Sequence, residues 1–193
     1  MDVSAFFKSE FAEHHAVARA TEAALQPAFA KLLAACVSCI RGGGKIMLFG
    51  NGGSAGDAQH IATELTVRYK TDRAPIAAIA LTTDTSTITA AANDLGFEQI
   101  FVRQIAALGR PGDLVIGIST SGKSPNVIAG LTQAKTMGLM TVAFGGKGGG
   151  DLAADHLLVV PSDTTARIQE MHILIGQMLC GALEIELGLL PPA

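Results

Sequence analysis

Apolar residues recur along the chain in two rhythms. Up to about residue 41 the spacing is helical. Phe6, Phe7, Phe11, Val17 and Ala18 fall on one face, and Leu25, Phe29, Leu32, Leu33 and Cys36 on another, which predicts amphipathic helices over 3–22 and 24–41. Arg41-Gly42-Gly43-Gly44 stops the second. Beyond it, apolar runs of strand length at 45–49, 76–81, 113–118, 140–144 and 156–160 alternate with helix-length segments at about 55–69, 85–108 (broken near Gly96) and 125–138. Such alternation predicts βαβ units around a parallel sheet. The last run, 164–188, is apolar on nearly every side and ends at Gly188, so it reads as a helix buried in the core or in an oligomer interface. The expected fold is α/β: a three-layer αβα sandwich on a five-stranded parallel sheet, preceded by N-terminal helices and closed by a long C-terminal helix. It is expected as one domain over 1–193, with 1–41 a helical extension packing in the oligomer.

Composition narrows the classes. A chain of 193 residues suits one domain with a full core. Lys and Arg number 14 against 17 Asp and Glu, a net charge of −3, and no basic stripe points to nucleic acid. Charged residues are only 16% and apolar ones 49%, which excludes disorder and implies that part of the surface is covered by other subunits. No run of 18 apolar residues indicates a membrane span, and Met1-Asp2-Val3-Ser4-Ala5 does not start a secretory signal. Cys36 and Cys39 form a C-x-x-C inside the apolar run 32–40, so with Cys180 they read as core thiols, and a cytoplasmic location is expected.

In an open parallel sheet, ligands bind beyond the carboxyl ends of the strands. Three loops lie there. Gly50-Asn51-Gly52-Gly53-Ser54-Ala55-Gly56 lets backbone N–H groups approach an anion at a helix start. Its spacing is wrong for a dinucleotide fingerprint, because the acid some twenty residues on, Asp72, precedes the second strand. Gly117-Ile118-Ser119-Thr120-Ser121-Gly122-Lys123-Ser124 matches the nucleoside-triphosphate pattern G-x-x-x-x-G-K-[ST], but no later strand ends in the Asp that would hold magnesium. Three of its four variable positions carry hydroxyls, which favours a cup for one small phosphate ester with Pro125 opening the next helix. Thr82-Thr83-Asp84-Thr85 reads as a helix cap through Asp84 or Thr85.

His60 and Glu64, four residues apart, share one face of the helix that leaves the first loop. They suit two ligands of a divalent metal or a base with its orienting partner, and equally a solvated pair. Gln169, His172 and Gln177 interrupt the apolar last helix. Helical geometry lets His172 or Gln177, but not both, approach a site faced by Gln169, and His172 is equally a core histidine. His14, His15 and His156 read as surface or packing residues.

Gly50-Asn-Gly-Gly-Ser-Ala-Gly-Asp-Ala-Gln-His60, Leu81-Thr-Thr-Asp-Thr-Ser-Thr-Ile-Thr89 with Asn93-Asp94, Ser119-Thr-Ser-Gly-Lys-Ser124 and Arg167-Ile-Gln-Glu-Met-His172 occur in that order. Together they resemble the phosphoheptose isomerases of the sugar isomerase (SIS) fold. The resemblance implies an aldose–ketose isomerase that turns sedoheptulose 7-phosphate into D-glycero-manno-heptose 7-phosphate through an enediol, for lipopolysaccharide or other surface glycans. It implies that Ser119, Thr120, Ser121 and Ser124 hold the substrate phosphate and that Asn51, Gly52, Gly53, Asn93 and Asp94 line the sugar. It implies one zinc ion per subunit on His60, Glu64 and Gln169, with Glu64 and Gln169 also facing substrate and Glu64 the catalytic base. The family's fourth ligand and acid/base, a His eight residues after the Gln, is here Gln177, which can offer a carbonyl oxygen but exchanges no proton. The resemblance also implies a homotetramer. The contrasting expectation, prompted by Gln177, is a non-catalytic SIS protein that binds phosphosugars or associates with a replication initiator.

Overall fold

The computed structural model describes residues 1–190. Five parallel strands, β1 (Ile46–Gly50), β2 (Ala78–Ala80), β3 (Leu114–Ser119), β4 (Met140–Gly145) and β5 (His156–Val159), form one sheet in the order β2-β1-β3-β4-β5. Six α-helices surround it: α1 (Val3–Arg41), α2 (Gly53–Thr66), α3 (Thr85–Leu95), α4 (Gln99–Leu108), α5 (Pro125–Thr136) and α6 (Thr165–Glu186). Side chains along β1 alternate between two cores, as strand geometry demands. Ile46 and Leu48 join the core that includes Leu32, Ile61, Met171 and Leu183 of α1, α2 and α6. Met47 and Phe49 join the one that includes Phe101, Ile105 and Leu131 of α4 and α5. The predicted three-layer sandwich is the one observed.

Three details differ from expectation. The two N-terminal helices are one helix of 39 residues, capped by the Asp2 carboxylate, which accepts from Ser4 N at 2.9 Å and Ala5 N at 3.1 Å. Nothing breaks it near residue 23, where Ala23, Ala24 and Leu25 are strong helix formers. Pro27 sits inside it. The predicted strand 76–81 shrinks to three residues at a sheet edge, where only β1 supplies partners. And although no 18 residues in a row are apolar, the alanine-rich α1 averages a hydropathy of 1.6 over an 18-residue window of which only 22% is buried. Among the described residues it alone is long and apolar enough to cross a membrane by length and composition.

Helix α1 packs along α6 and β5. Its first turns are tied to the start of α6, where the buried Arg167 meets Glu10 at 3.1 Å and Glu170 at 2.6 Å, and His14 Nδ1 lies 2.8 Å from Glu170. All three cysteines are buried and free. Burial pushes the Cys180 thiol up to about 12 and that of Cys39 up to about 11, so they are inert packing groups.

Candidate active site

Strands β1 and β3 are neighbours, with Gly50 opposite Ile118, so the loops that leave their carboxyl ends lie side by side. The loop after β1 turns at Gly52 (φ +56°) into α2, whose first turn carries no side-chain cap. Ser54 N and Ala55 N already donate to Asn51 O at 3.0 Å and Gly52 O at 3.1 Å, which leaves the N–H groups of Gly52 and Gly53 to face an anion or a sugar hydroxyl. Asn51 is held from the other loop. Its Nδ2 donates to Asn126 Oδ1 at 2.8 Å, and Asn126 Nδ2 donates back to Asn51 Oδ1 at 2.8 Å. Asn126, only 1% exposed at the start of α5, was not singled out from the sequence. Its position just after Pro125, inside the first turn of a helix, gave no reason to expect a partner 75 residues away.

The loop after β3 is a cup of hydroxyls. Ser119 Oγ and Ser124 Oγ lie 2.9 Å apart, Lys123 N donates to Ser121 Oγ at 3.2 Å, and Thr120 is half-buried beside them. Ser124 is the N-cap residue of α5, yet its hydroxyl makes no capping bond and stays in the cup. Gly122 closes the turn at φ +66°. A Cβ there would collide with the backbone of Gly149 and Gly150, and Asp151 N donates to Gly122 O at 2.9 Å. This second glycine loop, 145–150, thus braces the cup from below. The only signal for it in the sequence was its run of glycines.

On α2, His60 Nε2 lies 3.1 Å from Glu64 Oε1, so the predicted pair is formed. Helix α6 runs beside α2 in the same direction. Gln169 packs onto Gly53, where a Cβ would strike its amide, and Gly176 packs onto Ile61 equally closely. Gln169 thereby reaches the first turn of α2, while Gln177, half-buried, follows the glycine that touches the neighbour of His60. His172 stays out of the site. It is 0% exposed, its Nε2 donates to Gly145 O at 3.0 Å, its ring lies by Phe144, and burial lowers its pKa to about 4. It is the core histidine of the two readings. Asn93 and Asp94 stand exposed on the last turn of α3, where Asn93 Nδ2 donates to Asp94 Oδ1 at 2.7 Å and no hydrogen bond joins them to another candidate. Asp84 caps α3 by accepting from Thr87 N at 3.0 Å.

A cup of hydroxyls and a glycine turn thus lie side by side at the carboxyl ends of β1 and β3, while the His60–Glu64 pair lies two to three turns further along α2, whose last residue, Thr66, donates to Ala78 O at the start of β2. The comparisons with known proteins agree with that arrangement. A family model for the SIS domain matches residues 11–146. A phosphoheptose isomerase of Paramagnetospirillum magneticum is 55% identical over 186 residues, covering 95% of this chain and 97% of that protein. The chain belongs to the phosphoheptose isomerases of the SIS family. Phosphoheptose isomerase 1 of Campylobacter jejuni is 52% identical over 92% of this chain and 96% of its own. The solved phosphoheptose isomerase of Francisella tularensis superposes with a TM-score of 0.92 at 39% identity, over 96% of this chain and all of that one. That of Neisseria gonorrhoeae gives 0.89 at 40% over 95% and 99%. Nothing in these relatives speaks for the non-catalytic role.

One acidic group of this isomerase was passed over in the sequence. Asp57, one turn before His60, has a buried Oδ2 without a hydrogen-bond partner, and desolvation raises its pKa to about 6, against the pull of His60. Among the described residues no three His, Cys, Asp or Glu gather as a metal cluster. The donors expected for zinc are one imidazole, one carboxylate and two neutral amides, of which the structure pairs only His60 with Glu64, while Gln169 lies against Gly53 two turns earlier. Such a set fits a weakly held, exchangeable divalent ion and not a structural one, which needs several thiolate or imidazole ligands.

Proposed function

We infer that the chain interconverts sedoheptulose 7-phosphate and an aldoheptose 7-phosphate by proton transfer between adjacent carbons. The observation that carries this reading is the pairing of Glu64 with His60 at 3.1 Å, on the helix that leaves the glycine turn after β1. Ser119, Thr120, Ser121 and Ser124 take the phosphate far from the reacting carbons and supply binding energy that orients them. Asn51, Gly52 and Gly53 meet the sugar, and Asn93 and Asp94 add to its lining. Glu64 removes the proton from the carbon beside the carbonyl. The electrons of that C–H bond form a C=C bond and push the carbonyl π pair onto its oxygen, which takes the proton of the adjacent hydroxyl and so gives the enediol form. Glu64 then returns its proton to the neighbouring carbon as the new carbonyl forms. His60 orients the carboxylate. The four residues that would hold zinc are His60, Glu64, Gln169 and Gln177, and the ion would polarise the substrate oxygens where negative charge develops. With His172 sealed in the core and Gln177 neutral, neither can relay the proton, and Glu64 shuttles it.

The working form is a homo-oligomer, a tetramer by likeness to its family. What supports this is apolar surface left uncovered in one copy. Phe6, Phe7 and Phe11 on α1 are 52%, 62% and 51% exposed, and a groove of about 540 Å³ between α1 and α6 is lined by Leu25, Phe29, Leu174 and Met178. A cytoplasmic enzyme that feeds heptose to surface glycans such as lipopolysaccharide is the setting that matches this chemistry. The test is NMR of the purified protein with sedoheptulose 7-phosphate in deuterated water. An aldoheptose phosphate deuterated beside its carbonyl is expected, and a folded protein that gives neither product nor exchange removes the reading.

A further inference from the structure

Helix α2 ends without the usual devices. Its last turn holds no basic residue, and Val67 follows it in place of a glycine. The carbonyls of that turn are met from outside by Arg73. Its Nη2 donates to Glu64 O at 2.7 Å and its Nη1 to Leu65 O at 2.7 Å and Ala74 O at 3.1 Å, while Nε donates to Glu184 Oε1 at 2.9 Å. Glu184 Oε1 also accepts from Tyr69 N at 3.1 Å. The pair is dry, with side chains 0% and 2% exposed. Glu184 lies seven residues beyond Gln177, two turns along nearly the same face of α6.

We propose that Arg73 and Glu184 are positioning residues for the proton transfer: the guanidinium grips the backbone of Glu64 itself and, through Glu184, locks α2 to α6 in one register. The inference rests on Glu64 being the base. A buried pair of charges costs desolvation that surface stability alone seldom justifies. What this one delivers is geometry. A planar fork that satisfies two carbonyls of α2, the Ala74 carbonyl and a carboxylate at once fixes the helix end along its axis and about it, which a point-like ammonium cannot do. The same grip fixes His60 and Glu64 along α6 near the level where Gly176 meets Ile61. Because the phosphate cup lies on other elements, loosening this end leaves substrate capture intact and displaces only the base.

Arg73→Lys and Glu184→Gln keep the size and most of the polarity of each partner. For Arg73→Lys, measured well below its unfolding temperature, kcat is expected to fall by up to about 100-fold, the cost of a displacement near 1 Å. KM and the calorimetric affinity for sedoheptulose 7-phosphate should stay within about twofold. Glu184→Gln should fall less, since its amide oxygen still accepts from Arg73 and Tyr69 N. Added guanidinium, at concentrations that leave the fold intact, should restore part of kcat in Arg73→Ala. A lowered unfolding temperature with wild-type kcat overturns the proposal, because the pair then only holds the fold. A loss of affinity equal to the loss of rate overturns it too. Should Arg73→Lys not fold, Glu184→Gln decides by the same split. Glu64→Gln is assayed in parallel: if it turns over normally, the base assignment falls and this inference with it, whereas an inactive Glu64→Gln beside a fully active Arg73→Lys removes this inference alone.

Discussion

The two ends of the candidate site are built differently. The phosphate end is a stretch of six residues, 119–124, whose hydroxyls sit within a few positions of one another and whose turn is set by Gly122 against the backbone of 149–150. The reaction end is assembled from side chains on two helices more than a hundred residues apart in sequence, joined by Gly176 against Ile61 and by a dry ion pair. The first end needs only its own loop and one brace to bind. The second works only while α2 and α6 keep one register. Capture of substrate and chemistry upon it should therefore separate under mutation.

The sharpest break is Glu64→Gln, nearly the same shape without a titratable proton. It should lower kcat by about 100- to 10,000-fold, the usual contribution of a general base, while phosphosugar affinity measured by calorimetry holds. A matching loss of affinity would merge the two ends into one. The complementary variant, Gly122→Ala, puts a methyl against Gly149 at a positive φ. Strain of about 1–3 kcal/mol should appear as a rise in KM of roughly 5- to 150-fold with kcat little changed, read by steady-state kinetics.

Gln177→His tests the reaction end from the metal side. It adds a second imidazole to a set that has one, so zinc affinity in a competition titration with a chromogenic chelator should tighten by about tenfold. Unchanged affinity would place residue 177 outside the donor set.

The smallest effect is on stability against pH. His172, held near 4 against an ordinary 6.5, favours the neutral form in the fold, so its contribution is present above 6.5 and is lost as pH falls towards 4. Asp57, raised from 3.8 to about 6, favours the protonated form, and its contribution is lost as pH rises towards 6. Between pH 4 and 6 the two slopes oppose each other. In Asp57→Asn only the His172 slope remains, so urea midpoints of that variant should climb more steeply from pH 4 to 6 than those of the parent.

What was legible in the sequence follows the same division. The strands, the break at Gly96, the cap at Asp84, the hydroxyl cup and the His60–Glu64 pair are local patterns, and each is found within a residue or two of its expected place. The partners of those patterns were not legible. Asn126 answers Asn51 across 75 residues, and Glu184 answers Arg73 across 111. Nothing in the neighbourhood of either residue marks it, because the need it meets lies on another element. The unbroken α1 differs from the two helices expected over 3–22 and 24–41 for another reason: the alanines around residue 23 let one helix run on.

The cup after β3 is lined by hydroxyls and amides, with Lys123 the single cation in 119–124, in a chain whose net charge is −3. Dipoles act at contact and fade quickly, whereas a cluster of full charges draws an anion from a Debye length away. On the proposed reading, encounter of the cup with a doubly charged sugar phosphate is thus left to diffusion, with little long-range guidance. The association rate should change little as salt is added, and the hold on phosphate, once made, belongs to the dissociation rate.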